Sequence, residues 1–237
     1  MKKYKYLVVN GCSYVQGVGC ENAKEDRFSK LLSDKLQCKE INLSKSGGSN
    51  DRMIRVTYQW VKENIDKVDE TLFIMGFTEL FRMDLYSNVY KSYIRGSEMF
   101  KKNSSSLAER IGCSKDELQQ YSEFLLKYLI NGDILLDRLI QQSELLNSFI
   151  GNKARVIFFS SILGVGYKQV NNINNMKEAP INTFSVEDMK NIEFFKIDNH
   201  DNWKRFIESN DEEYSGGHPT SEHNKIFSDK LYEYINA

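Results

Sequence analysis

The sequence predicts an α/β fold, a three-layer α/β/α arrangement around a parallel, flavodoxin-like sheet of about five strands. Three observations carry that expectation. Short apolar runs alternate with segments of helical spacing along the 237 residues. Residues 71–76 and 155–160, the latter with Val156-Ile157-Phe158-Phe159, read as buried strands. Glycine-bearing or polar loops follow the strands, at the edge where open parallel sheets carry their sites.

Taken in order, residues 4–10 form a first strand after a short charged start. Residues 26–36 show helical spacing at Phe28, Leu31, Leu32 and Leu36, and residues 38–43 a short second strand. Helical spacing returns over residues 50–65 through Met53, Ile54, Trp60, Val61 and Ile65, ahead of the third strand at 71–76. The stretch 84–150 exceeds what one crossover needs, which implies a helical insertion at about residues 84–132. Within it Ser114 and Glu117 have the spacing of a capping box, and Asn131-Gly132 breaks the pattern into two helices. The second of these, at 134–149, is the expected crossover to the strand at 155–160. Residues 86–99, aromatic and basic, read either as a cap over a site or as plain packing. The Asn-rich stretch 164–186 reads as a loop, residues 192–197 as a weaker fifth strand, and 221–235 as a final helix. No internal repeat or linker interrupts the chain, so a single domain, residues 1–237, is expected.

Composition narrows the function classes. With 41% hydrophobic and 12% aromatic residues the chain can bury a full core. Its 32 basic and 33 acidic residues leave a charge of −1, without the basic surplus that nucleic-acid binding selects. The N-terminal apolar run is short and interrupted by Lys5, which suits a core strand rather than a signal peptide, and no later run is long enough to cross a bilayer. Cys12, Cys20, Cys38 and Cys113 form no CxxC pair and have no neighbouring histidine, which argues against zinc and against a disulfide framework. The expectation is a cytoplasmic protein with no metal, no cofactor, and neither nucleic acid nor membrane as partner.

The chemistry is concentrated at the strand ends. Gly11-Cys12-Ser13-Tyr14, with Gly17, places a serine in a glycine-flanked turn directly after the first strand. Near the other end, Gly216-Gly217-His218-Pro219 puts a histidine in the loop before the last helix. A parallel sheet can bring both to one edge, making Ser13 a candidate nucleophile and His218 its base. Two further loops lie on that edge: Asn42-Leu43-Ser44-Lys45-Ser46-Gly47-Gly48 after the second strand and Gly76-Phe77-Thr78-Glu79-Leu80-Phe81-Arg82 after the third. Each holds a group able to stabilise an oxyanion, a glycine N–H or a hydroxyl. The plainer readings are a helix-capping Ser13, a tight turn at Gly47-Gly48 and an Arg82–Glu79 pair on one helix face. For His200 the sequence suggests a solvated position, and for His223 either solvent or the sheet edge.

These blocks, in this order over the whole chain, resemble those of the SGNH, or GDSL-type, hydrolase superfamily. The resemblance implies Ser13 as nucleophile and backbone oxyanion donor, Gly47 as a second backbone donor, Thr78 as a third, and His218 as base. Cys12 stands where the family has Asp, and Thr78 where it has the oxyanion-hole Asn. The acid expected three residues before His218 is replaced by Ser215. Either a backbone carbonyl or Ser215 orients the imidazole, or Glu213 or Asp211 does so. The implied activity is hydrolysis of an ester, a short acyl or O-acetyl group on a small molecule or carbohydrate, with no cofactor. An O-acyltransferase on the same scaffold and a catalytically silent binder of glycan or protein remain the alternatives. A third reading has the Leu-rich insertion mediating self-assembly.

Overall fold

The computed structural model describes residues 3–95, 105–125, 128, 132–163, 189, 191–198, 200–211 and 217–237. Five parallel strands, β1 (Tyr6–Asn10), β2 (Lys39–Asn42), β3 (Thr71–Phe77), β6 (Arg155–Ser160) and β7 (Glu193–Phe194), form one sheet in the order β2-β1-β3-β6-β7. That is the flavodoxin-like order, in which the chain reverses direction beside β1. The register sets Tyr6 against both Lys39 and Thr71, so the carboxyl ends of β1, β2 and β3 lie together.

Alternation along the strands divides the apolar side chains between two cores. Leu7, Val9, Leu72, Ile74, Ile157 and Phe159 face one layer, built from α2 (Phe28–Lys35), α7 (Trp203–Asn210) and α8 (Ser221–Asn236). Val8, Phe73, Met75, Phe77, Val156 and Phe158 face the other, built from α3 (Asn50–Glu63) and α6 (Gly132–Ile150). Both faces of the sheet are covered, which is the three-layer arrangement. In the first layer Trp203 stacks on Phe227 with ring centroids 4.2 Å apart, and Phe28 meets Phe227 edge-on at 4.8 Å. Each such pair contributes about 0.5–1.5 kcal/mol beyond its area.

The insertion differs from its expected form. Residues 84–95 are an antiparallel hairpin, β4 (Asp84–Ser87) and β5 (Ser92–Arg95), where sequence suggested only an aromatic, basic segment. Two short helices follow, α4 (Ser105–Ile111) and α5 (Lys115–Phe124), and Ile94, Leu107, Ala108, Leu118 and Leu125 form a third, small core with the hairpin. The Ser114–Glu117 capping box is present as expected. Helix α7 has no counterpart among the expected elements, although Trp203, Phe206 and Ile207 give it helical spacing over its eight residues; its N-cap is Asn202, which accepts from the Arg205 N–H at 2.8 Å. The predicted loop at 164–186 lies outside the described residues. No helix among the described residues is long and apolar enough to cross a membrane.

Candidate active site

Strand β1 ends at Asn10, and the chain turns at once into the four-residue helix α1 (Ser13–Gln16). Space for that turn comes from glycine: a Cβ on Gly11 would sit 2.5 Å from Val15 Cγ2 and 2.8 Å from the Gly76 carbonyl. Buried Asn10 holds the turn from behind. Its Oδ1 accepts the Gly11 N–H at 2.9 Å, while its Nδ2 donates to the Met53 carbonyl and the Thr57 hydroxyl, both at 3.0 Å. Cys12 is the N-cap residue and is fully buried, so Ser13 does not cap the helix.

Ser13 is 4% exposed, and its Oγ lies 2.9 Å from His218 Nε2 across 205 residues of sequence. For the serine to donate along this contact, the imidazole proton must sit on Nδ1. His218 is held in place by the nucleophile's neighbours. The Tyr14 hydroxyl donates to the Gly217 carbonyl at 3.1 Å, and the Tyr14 ring lies 5.6 Å from the imidazole. Gly19, in the left-handed region at φ +104°, lets the two loops meet, since a Cβ there would be 2.8 Å from His218 Cβ. Neither Tyr14 nor Gly19 carried a sequence signal for this role. Burial, and next the positive charge of Arg82, pull the His218 imidazole below its ordinary value. The ring is thus neutral and able to accept a proton near neutral pH.

The second loop is pressed against the first. The Lys45 N–H donates to the Gly11 carbonyl at 3.2 Å, and the Ser46 N–H donates to Gln16 Oε1, on α1, at 2.5 Å. Gly47 takes the left-handed conformation at φ +68°. Asn42 is structural: its Nδ2 donates to the Val15 carbonyl and to Ser29 Oγ, each at 3.1 Å.

The third loop is held from behind by α3. Thr78 is 1% exposed, and its buried Oγ1 has no hydrogen-bond partner among the described residues. Both of its backbone groups are occupied by Asn50, the first residue of α3: Oδ1 accepts the Thr78 N–H at 2.9 Å and Nδ2 donates to the carbonyl at 3.0 Å. The Arg82–Glu79 pair forms at 2.7 Å, but on a turn and not on the helix face that the plainer reading supposed.

Of the residues expected to orient His218, Asp211 is seen paired with His223. Its Oδ2 lies 3.0 Å from His223 Nε2. His223 is only 8% exposed, so of its two expected settings it does not take the solvated one. Glu213 and Ser215 lie outside the described residues. His200 is partly buried beside Ser209 Oγ at 2.8 Å. Among the described residues, no group of three or more His, Cys, Asp or Glu could hold a metal.

Solved structures similar to this chain include the psychrotrophic esterase EstA from Pseudoalteromonas sp., at 13% identity over 98% of this chain and 97% of that one, with a TM-score of 0.47. TesA is 12% identical over 97% of each chain, with a TM-score of 0.49. A member of the lipolytic protein G-D-S-L family from Veillonella parvula DSM 2008 is 10% identical over 98% of each chain, with a TM-score of 0.48. No protein-family model and no curated protein matches the chain. With identities and TM-scores this low, the functional reading rests on the side-chain geometry.

Proposed function

We propose that this protein is a serine hydrolase that cleaves an ester, with Ser13 as nucleophile and His218 as general base and acid. The observation that carries the reading is the 2.9 Å contact between Ser13 Oγ and His218 Nε2. It joins a buried serine to an imidazole whose proton affinity is lowered, at the strand edge where α/β folds place their sites. In the first step the Oγ–C bond forms as the Oγ proton passes to Nε2 and the carbonyl π pair moves to oxygen. The N–H groups of Ser13 and Gly47 are the proposed donors to that oxyanion. Collapse then expels the alcohol, which takes the proton from Nε2, and water repeats the sequence on the acyl-enzyme.

The proposed substrate class, carried by the motif resemblance alone, is a short acyl or O-acetyl ester, of a carbohydrate or other small molecule. The Ser13–His218 contact favours chemistry over the silent binder, because a binding pocket has no need of an aligned serine and imidazole. Labelling by a fluorophosphonate probe tests the reading. Native protein is expected to label, and Ser13→Ala and His218→Ala are expected not to. Folded native protein that takes up no probe would overturn it.

A further inference from the structure

Hairpin β4–β5 grips the loop that carries Gly47. Asp84 and Arg95 are register partners at the open end of its ladder. Arg95 Nη1 donates to the Ser46 carbonyl at 2.7 Å, and Asp84 Oδ1 accepts from the Ser49 hydroxyl at 2.9 Å, with Gly47 and Gly48 between the two contacts. The Arg95 side chain occupies the space where a side chain on Gly47 would begin: Nη1 is 3.2 Å and Cδ 3.3 Å from that Cβ position. On the far side, Gln16 of α1 holds the Ser46 N–H.

The Ser46 carbonyl and the Gly47 N–H are the two ends of one planar trans peptide and point in opposite directions. A donor fastened to the carbonyl therefore also sets where the N–H points. A charged donor does more, because it draws electron density from the peptide and strengthens the N–H as a donor. Asp84 is ion-paired to Arg55, whereas Arg95 makes no ion pair among the described residues.

We infer that Arg95 is a positioning residue for the oxyanion site: from the inserted hairpin it orients and polarises the Ser46–Gly47 peptide, so that the Gly47 N–H is held ready for the charge that develops on the substrate oxygen. This rests on the hydrolase reading above. It also gives the hairpin a role that neither a cap nor plain packing supplies. An arginine that merely fastened the hairpin would affect stability or substrate binding, whereas one that polarises the peptide acts in the transition state.

Steady-state hydrolysis of p-nitrophenyl acetate by native protein, Arg95→Met and Arg95→Lys separates these cases. In Arg95→Met, kcat is expected to fall about 10- to 100-fold, less than loss of a whole oxyanion donor costs, with KM changed by no more than about threefold. Arg95→Lys should be intermediate, because an ammonium keeps the charge and loses the fork, and added ethylguanidinium should restore part of the Arg95→Met rate. The Gly47 amide nitrogen resonance should also shift in both variants, a readout independent of turnover. Native kcat in folded Arg95→Met, or a loss confined to KM, would overturn the inference. If Arg95→Met does not fold, Arg95→Lys decides: a reduced kcat at native KM supports it, and a native kcat overturns it. Failure of the native protein to turn over ester or to label with phosphonate would instead count against the hydrolase reading.

Discussion

Asp211 and His223 hold each other at 3.0 Å, between Oδ2 and Nε2, on either side of the loop that carries His218. The Thr220 N–H donates to His223 Nδ1 at 3.2 Å, which leaves the ring proton on Nε2, directed at the carboxylate. The Thr220 hydroxyl in turn accepts the His223 N–H at 3.3 Å, closing the cap of α8. A carboxylate near His218 in sequence thus takes part in fastening the loop.

Replacing that carboxylate should accordingly cost stability more than chemistry. Asp211→Asn is expected to keep kcat within about tenfold of native, whereas His218→Ala should lose about a thousandfold or more. Its unfolding free energy should fall by about 1 kcal/mol, the scale of one hydrogen bond. Parallel kinetics and urea unfolding of the two variants check this. A kinetic loss in Asp211→Asn as deep as that of His218→Ala would return Asp211 to the catalytic centre.

The pH profile follows from the imidazole's surroundings. His218 must be neutral to accept the Ser13 proton, so kcat/KM should rise with pH through a limb lying below the ordinary histidine value of about 6.5. Arg82→Gln removes a nearby positive charge and should move that limb to higher pH. Stability carries the same sign. The folded state binds this proton less readily than the unfolded chain, so stability is full above the unfolded value and declines as pH falls through the window down to the folded one. His218→Gln should flatten that portion of the stability curve.

Thr78 and Asn50 predict opposite outcomes. Thr78→Val removes a buried hydroxyl that has no partner among the described residues and should leave stability equal or up to about 1 kcal/mol higher, with phosphonate labelling retained. Asn50→Ala strands the Thr78 N–H and carbonyl in a buried setting and should cost about 2–4 kcal/mol in urea unfolding, with slower labelling as the third loop loosens. Loss of labelling in folded Thr78→Val would show the hydroxyl to be a donor after all.

The thiols should be bystanders. Burial, followed by the neighbouring Asp26, pushes Cys20 up to about 11, and burial, followed by Asp34, does the same to Cys38. Cys12, beside the nucleophile, is fully buried. Only the thiolate reacts, so iodoacetamide at pH 7 should modify these residues slowly and leave ester hydrolysis unchanged. Inactivation that tracks alkylation of Cys12 would contradict this.

The sheet and the Ser13–His218 pair could be read before any coordinates. Strand and helix periods are local properties of the chain, and continuous apolar strands such as Thr71–Phe77 require cover on both faces. Once a parallel sheet is inferred, its carboxyl edge collects every loop that follows a strand, so Ser13, Gly47 and Thr78 could be assigned there, whereas His218 was placed with them by the motif resemblance. Glycine at positions 11 and 47 was equally legible, because tight turns require it.

Which partner each polar group takes was decided only by the tertiary structure. Asn50 closes on Thr78 across 28 residues, Arg95 on Ser46 across 49, and Asp211 pairs with His223. None of these choices leaves a periodic trace in the sequence. They arise because buried or crowded donors and acceptors must be satisfied by whatever group the packed layers bring within about 3 Å. Residue types and strand order therefore determined where a site would lie, whereas the packing of distant segments decided which side chains support it.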